Sequence, residues 1–231
     1  MRLDKYLALA GYGSRKEIKQ FIRNGYVEVN GEIIKKDDFK IDENNDSVTF
    51  DGELVEYMEH VYIMMNKPAG CVCANDDRKA ETVFEYVPEY SHRDLFTVGR
   101  LDIDTTGLLL ITDDGDFAHH IISPKNMIPK VYQCDLISPI NDEQIKQLET
   151  GIDFKDFSSM PAKVEVVDSK RILLTIFEGK FHQVKRMLIA VGNEVVNLKR
   201  LSIGDVTLDE ELIEGGYRLL TTDEYDKLIK K

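Results

Sequence analysis

The sequence predicts an α+β protein in two parts: a small N-terminal α/β module, then a larger domain built on a mainly antiparallel mixed sheet. Three observations carry this. Apolar residues recur at helical spacing as far as Asn24 and then switch to strict alternation around Asn30-Gly31. From about Val61 onward, short apolar runs bounded by turn signals recur along the chain. Helical segments fall among these runs without the regular strand-helix alternation of a doubly wound fold. The boundary is placed between residues 59 and 60, giving parts 1–59 and 60–231.

In the first part, Leu3, Tyr6, Leu7 and Ala10 share one helical face, and the glycines at 11 and 13 stop that helix. Ser14-Arg15-Lys16-Glu17 is a capping box, in which the hydroxyl and the carboxylate satisfy each other's backbone donors. It opens a helix to Asn24 with Gly25 as its stop. Ile18, Phe21 and Ile22 line one side of that helix, leaving Arg15, Lys16, Lys19 and Arg23 mostly on the other. Tyr26 to Ile34 alternates around Asn30-Gly31, a strong hairpin signal.

In the second part, Val61 to Asn66 reads as a strand that ends in the turn Lys67-Pro68-Ala69-Gly70, and Thr82 to Val87 as a short helix. Phe96 to Val98 leads into Leu108 to Ile111, a buried strand closed by Asp113-Asp114-Gly115. Phe117 to Ile122 is helical and ends before Ser123-Pro124. Lys130 to Leu136 alternates as a strand, and Glu143 to Glu149 has helical spacing. Ala162 to Val167 and Arg171 to Phe177 are strands around Asp168-Ser169, and Gln183 to Val191 is helical.

Composition excludes several classes. The 231-residue chain is 42% hydrophobic and 31% charged, with no apolar run near the roughly 20 residues a membrane helix needs. It also lacks the apolar core of a signal peptide, which implies a cytoplasmic protein. Cys71, Cys73 and Cys134 are an odd number in such a chain and argue against a disulfide framework. Cys71 and Cys73 have no second pair to complete a metal site, so they read as structural. There is no phosphate loop, dinucleotide fingerprint or zinc spacing, so no cofactor and no metal is expected. The net charge of −12 conceals an asymmetry. Met1 to Lys36 holds eight basic residues against four acidic ones, whereas Asp37 to His60 holds nine acidic residues and only Lys40. A basic helix pair suits RNA phosphates; a solvated helix face has the same composition.

Val98 to Asp116 concentrates the chemistry-bearing groups. Arg100, Asp102 and Asp104 lie on the loop that feeds a central strand, where catalytic groups gather. From the residues alone, a surface turn rich in Asp is the favoured reading, and the two carboxylates are indistinguishable.

Two resemblances separate them. Arg2-Leu3-Asp4-Lys5-Tyr6-Leu7, Ser14 to Ile18 and Gly25 to Gly31 resemble the S4 RNA-binding domain. Four further pieces resemble the RsuA-like pseudouridine synthases: Asn66 to Gly70, Gly99 to Leu108, Lys130-Val131-Tyr132 and Glu178 to Met187. Leu198 to Gly204 follows them in the same order. The resemblance implies isomerisation of a specific uridine to its C-glycoside in ribosomal RNA. Because the chain ends soon after Tyr217 without a long basic tail, it is closer to members that modify small-subunit (16S) RNA, at a uridine of the 516 type. Large-subunit (23S) members share the motifs. The implied partner is ribosomal RNA within a small-subunit assembly intermediate, met by a monomer away from any membrane.

The same resemblance implies residue roles. Asp102 aligns with the catalytic carboxylate, able to attack C1′ or to remove a ribose proton. Asp104 falls outside that position and is given to the turn. Lys185 aligns with the cation that pairs with the aspartate; an opposite charge within about 4 to 6 Å keeps a carboxylate ionised. Tyr132 aligns with an aromatic that stacks on the extruded base. Leu198 supports the pocket, and Arg100 contacts RNA beside the flipped nucleotide. Lys67 and Lys180 are assigned to phosphates, Arg186 stands in reserve for Lys185, and Arg2, Arg15, Lys16 and Lys19 are the RNA-facing cations of the N-terminal module. His182 and Gln183 are expected to position the Lys185 helix, with His119 and His120 outside the site. The same residues admit two other functions: an assembly factor that binds RNA without altering it, and an N-glycosidase using Asp102 and Asp104 as a carboxylate pair.

Overall fold

The N-terminal cap signals act as read. In the computed structural model, which describes residues 1–75 and 80–230, Ser14 and Glu17 exchange backbone and side-chain hydrogen bonds at the start of the second helix. The chain divides into two compact units: Met1–Val61 with Val87–Leu95, and Tyr62–Tyr86 with Phe96–Lys231.

The first unit packs α1 (Leu3–Leu9) and α2 (Arg15–Asn24) against four short strands, β1 (Val27–Val29), β2 (Glu32–Ile33), β3 (Val48–Phe50) and β4 (Glu53–Leu54). The sheet runs β2-β1-β3-β4, antiparallel throughout. Asn30 (φ 53°) and Gly31 (φ 80°) make the left-handed turn of the first hairpin. Asp51 (φ 51°) and Gly52 (φ 84°) repeat the device between β3 and β4, inside the acidic stretch where no strand was expected. Leu3, Leu7, Ile18, Ile22, Val27 and Val48 form the core. Residues 87–95 join this unit through Arg93, which is buried and donates to the carbonyls of Leu9 (2.8 Å) and Glu59 (3.3 Å).

The second unit is one sheet with helices against it. Its strands are β5 (Tyr62–Lys67), β6 (Phe96–Thr97), β7 (Thr106–Thr112), β8 (Lys130–Leu136), β9 (Lys163–Asp168), β10 (Arg171–Ile176), β11 (Val195–Ile203), β12 (Val206–Thr207) and β13 (Tyr217–Leu219). The helices are α3 (Gly115–Ile122), α4 (Asp142–Thr150), α5 (Gln183–Ala190) and α6 (Thr222–Ile229), and Val83–Tyr86 is a 3₁₀ turn where a short helix was expected. Strand order is β13-β5-β7-β11-β8-β10-β9, with β6 beside β7 and β12 beside β11. Among the described residues, every pairing between these strands is antiparallel except β7 with β11, so the expected α+β class with a mainly antiparallel sheet is what forms. β7 is buried along its length, as its continuous aliphatic run demands, whereas β8 alternates buried and half-buried residues in register with its sequence. The parallel junction needs Gly107. Its φ is 98°, and a Cβ there would collide with the Arg200 carbonyl of β11. Among the described residues no helix is long and apolar enough to cross a membrane.

Candidate active site

The loop before β7 is fixed from beneath. Lys67, at the end of β5, is fully buried, and its ammonium donates to the carbonyls of Pro68 (2.9 Å), Thr105 (3.0 Å) and Ile103 (3.4 Å). Gly70 N–H donates to Ile103 O at 2.7 Å, and Thr105 N–H closes a turn onto Asp102 O at 3.1 Å. Lys67 therefore corrects the sequence expectation. It does not reach a phosphate; it is a buried cross-link that holds the Asp102 loop, because three carbonyls converge where the strand ends. Cys71 and Cys73 are buried free thiols in the adjacent turn, with burial pushing both pKa values up. No group of potential metal ligands occurs among the described residues.

Opposite this loop, α5 delivers Lys185. Its ammonium lies 2.9 Å from Asp102 Oδ2 and 2.5 Å from Asp104 Oδ1. Asp102 is 23% exposed and Asp104 67%, so the partly enclosed carboxylate is Asp102. Burial works against the Lys185 charge, but hydrogen bonds to Asp104 and Asp102 more than offset it and raise its pKa. The same hydrogen bond holds the Asp104 carboxyl below the usual range. Asp104 thus does more than shape the turn: it shares the cation. His182 Nε2 stands 3.4 Å from Asp102 Oδ1.

The segment leading into α5 is organised by Gln183, which is buried. Its amide donates to Glu178 at 2.9 Å and accepts from Lys180 N–H at 2.9 Å, while Glu178 also accepts from Met160 N–H at 2.8 Å. This network fixes the turn in which His182 adopts a left-handed φ of 50°.

Between the loop and α5 lies a cavity of about 130 Å³. That is on the order of the ~150 Å³ apolar cavity that holds one benzene ring, so it fits a single base and little more. Asp102, Arg100, Lys180 and Lys185 stand on its polar side, and Tyr132 and Leu198 line its sheet side. Tyr132 is 8% exposed, and its hydroxyl accepts from Arg200 Nη1 at 3.4 Å. Among the described residues Arg100 and Lys180 make no ion pair, and both are exposed.

The structure therefore gathers Asp102, Lys185, Tyr132, Leu198, Arg100 and Lys180 around one cavity. It does not bring Arg186 there. That guanidinium pairs with Asp156, with one hydrogen bond at 3.0 Å, and lies over the rings of Phe154 (4.6 Å) and Phe157 (4.8 Å), which corrects its assignment to substrate. Consecutive residues of a helix point about 100° apart, so Lys185 reaches the loop while Arg186 reaches Asp156. Arg2 and Arg15 both belong to the first unit, where they clamp the fully buried Asp4 at 3.0–3.2 Å while keeping exposed edges. Lys16 and Lys19 lie on α2 without an ion pair among the described residues. Three groups went unnoticed in the sequence: Arg200, Lys130 and Glu178, all buried and all lining the cavity. Each sits inside a motif already recognised, but a charged residue ordinarily faces water.

A family profile described as RNA pseudouridylate synthase matches residues 61–190, and one described as the S4 domain matches residues 1–47. The chain belongs to the RNA pseudouridine synthase family. It is 47% identical over 230 residues to an uncharacterized RNA pseudouridine synthase of Bacillus subtilis, covering 97% of this chain and 96% of that one. It is 43% identical over 233 residues to ribosomal small subunit pseudouridine synthase A of Escherichia coli, covering 99% and 100%. The namesake from Haemophilus influenzae is also 43% identical, over the full length of both chains. A crystal structure of a pseudouridylate synthase superposes with a TM-score of 0.70 at 43% identity, covering 99% of this chain and 100% of that one. The N-terminal unit of this pseudouridine synthase is accordingly an S4 domain, and the cavity lies in the unit that carries the synthase match.

Proposed function

We propose that this pseudouridine synthase acts on small-subunit ribosomal RNA, converting one uridine of the 516 type, with Asp102 as its catalytic carboxylate. The observation that carries the role of Asp102 is its place at the edge of a base-sized cavity, 2.9 Å from Lys185 and across from Tyr132. The substrate is supported by the full-length similarity to enzymes named for the ribosomal small subunit.

The reaction must break the C1′–N1 bond, turn the base while it is held, and join C5 to C1′. Uridine within a stack cannot do this, so it must be extruded; the Tyr132 face replaces part of the stacking that is lost. Asp102 then attacks C1′ or takes a ribose proton. Both routes use an ionised carboxylate, and the Lys185 ammonium supplies its counter-charge. Leu198 closes the apolar side, while Arg100 and Lys180 hold the flanking backbone. The S4 domain presents Lys16 and Lys19, with the outer edges of Arg2 and Arg15, to RNA. The enzyme works as a monomer on an assembly intermediate.

Asp102→Asn tests the assignment. Pseudouridine mapping of small-subunit RNA incubated with each protein should show one modified uridine with the native enzyme and none with the variant, at RNA affinity within about twofold. A variant with full activity would sink the role of Asp102. Release of free uracil instead of isomerisation would move the enzyme to the glycosidases.

A further inference from the structure

Arg200 is 4% exposed, yet one of its terminal nitrogens, Nη2, has no hydrogen-bond partner among the described residues. The rest of the side chain is firmly held. Nε donates to Leu108 O at 2.7 Å and Nη1 to the Tyr132 hydroxyl at 3.4 Å, and the guanidinium carbon lies 5.9 Å from the Tyr132 ring centre. In the sheet, Arg200 stands between Gly107 of β7 and Tyr132 of β8. An unsatisfied donor on a buried cation is costly, and natural structures keep few of them. This one belongs to a side chain lining the base-sized cavity. A second buried cation, Lys130, lines the same cavity, with its ammonium turned to the carbonyls of Ile128 (2.8 Å) and Ile121 (3.3 Å). The apolar end of the site is therefore backed by two positive charges, although the carboxylate pair on the opposite wall already has Lys185.

Resting on the reaction proposed above, we infer that Arg200 is a catalytic residue that donates a hydrogen bond from Nη2 to a carbonyl oxygen of the uracil and stabilises the base as an anion once it leaves the ribose. When C1′–N1 breaks, its electron pair stays with the ring and spreads from N1 onto O2 and O4. After rotation, C5 returns a pair to C1′, the C5 proton departs and N1 gains a proton, so nothing is oxidised or reduced. Between those steps the ring is negative, beside a cationic side chain that is itself only 4% exposed. A fixed donor aimed at developing charge is worth far more there than in water. Donation to O4 would also favour uracil over cytosine, whose exocyclic amine at C4 sets a donor where uracil offers an acceptor; donation to O2 would not separate the two bases.

The test is a double substitution, in protein and in base. Small-subunit RNA transcripts carry uridine, 2-thiouridine or 4-thiouridine at the position where the native enzyme forms pseudouridine. Single-turnover rates are compared for the native enzyme, Arg200→Gln and Arg200→Lys. Arg200→Gln should lose on the order of 100-fold on uridine, with RNA affinity within about twofold. One thio-substitution should slow the native enzyme and have little further effect on the variant, because sulfur and the missing guanidinium remove the same hydrogen bond. Losses that multiply independently for both thio-bases, or a loss confined to RNA affinity, would overturn the role of Arg200. If Arg200→Gln does not fold, as shown by its melting transition, the same coupling measured on Arg200→Lys decides. A native enzyme that forms no pseudouridine defeats the functional proposal itself, whereas a working enzyme with uncoupled losses defeats only the assignment of Arg200.

Discussion

Lys185 sets its ammonium 2.9 Å from the Asp102 carboxylate, although the two residues come from a strand-feeding loop and a helix far apart in the chain. The pair forms because the loop is anchored by buried Lys67 and the start of α5 by buried Gln183. Asp104 takes a second hydrogen bond from the same ammonium at 2.5 Å, but from an exposed position.

Those unequal positions predict unequal effects. Lys185→Met should lower the single-turnover rate of isomerisation by about 100-fold, a loss of roughly 3 kcal/mol of transition-state stabilisation. Lys185→Arg should retain more activity, since charge is kept while geometry changes. Asp104→Asn, which removes the second negative charge beside Lys185, should cost less than about tenfold. An Asp104→Asn variant as inactive as Asp102→Asn would show that the two carboxylates work as a pair.

Lys67 yields a prediction of the opposite kind. A phosphate-binding lysine, once removed, weakens RNA binding and flattens its salt dependence by nearly one ion. Lys67→Met should instead leave three buried carbonyls without their donor, lowering stability by about 2–4 kcal/mol. The salt slope should stay unchanged. Urea unfolding and RNA titration between low and moderate salt separate the two roles.

These contrasts show which parts of the site a sequence can carry. Local signals were legible: the Ser14–Glu17 capping box, the Asn30-Gly31 hairpin and the alternation of Lys130 to Leu136 all became the elements they spelled. Asp51-Gly52 carried the same hairpin signal but lay in an acidic run that drew attention to its charge. Residues from Val206 onward also went unread, although Thr221 and Glu224 form another capping box that opens α6. Non-local facts were not legible. The parallel pairing of β7 with β11 depends on Gly107 and Arg200 meeting across the sheet, and no spacing encodes it. Burial of Lys67, Lys130 and Arg200 is likewise invisible, because it depends on partners distant in the chain: the Ile103 and Thr105 carbonyls for Lys67, the Ile121 carbonyl for Lys130, and Leu108 with Tyr132 for Arg200.

In the S4 domain, Asp4 is fully buried between Arg2 and Arg15. Burial works against its charge, but the hydrogen bonds from both arginines prevail and lower its pKa. The folded value lies below that of the unfolded chain, so the pair's stabilisation is present above about pH 4 and is lost as the pH falls further. Asp4→Asn should therefore destabilise the domain at pH 7 by about 1–3 kcal/mol, the worth of hydrogen bonds to a charged group. The gap between variant and native protein should narrow toward pH 3. Thermal unfolding at both pH values checks this; a gap of constant size would show that the arginines do not favour the ionised acid.

Lys130 is the mirror case. Burial, aided by the nearby Arg200 charge, lowers its pKa to about 8, while the unfolded chain keeps the ordinary value of 10.5. Between those values the unfolded chain binds more protons, so this residue makes the fold more stable as the pH rises from 8 to 10.5. Lys130→Met lacks that gain. Its stability relative to the native protein should fall across the same window by up to about 3 kcal/mol, the free energy of a shift of this size. Below pH 8 the difference should be flat, because Lys130 is charged in both states. Urea unfolding at pH 7 and pH 10.5 measures it directly. A difference that does not change with pH would mean that Lys130 keeps its charge through that window, its two carbonyl partners compensating fully for burial beside Arg200.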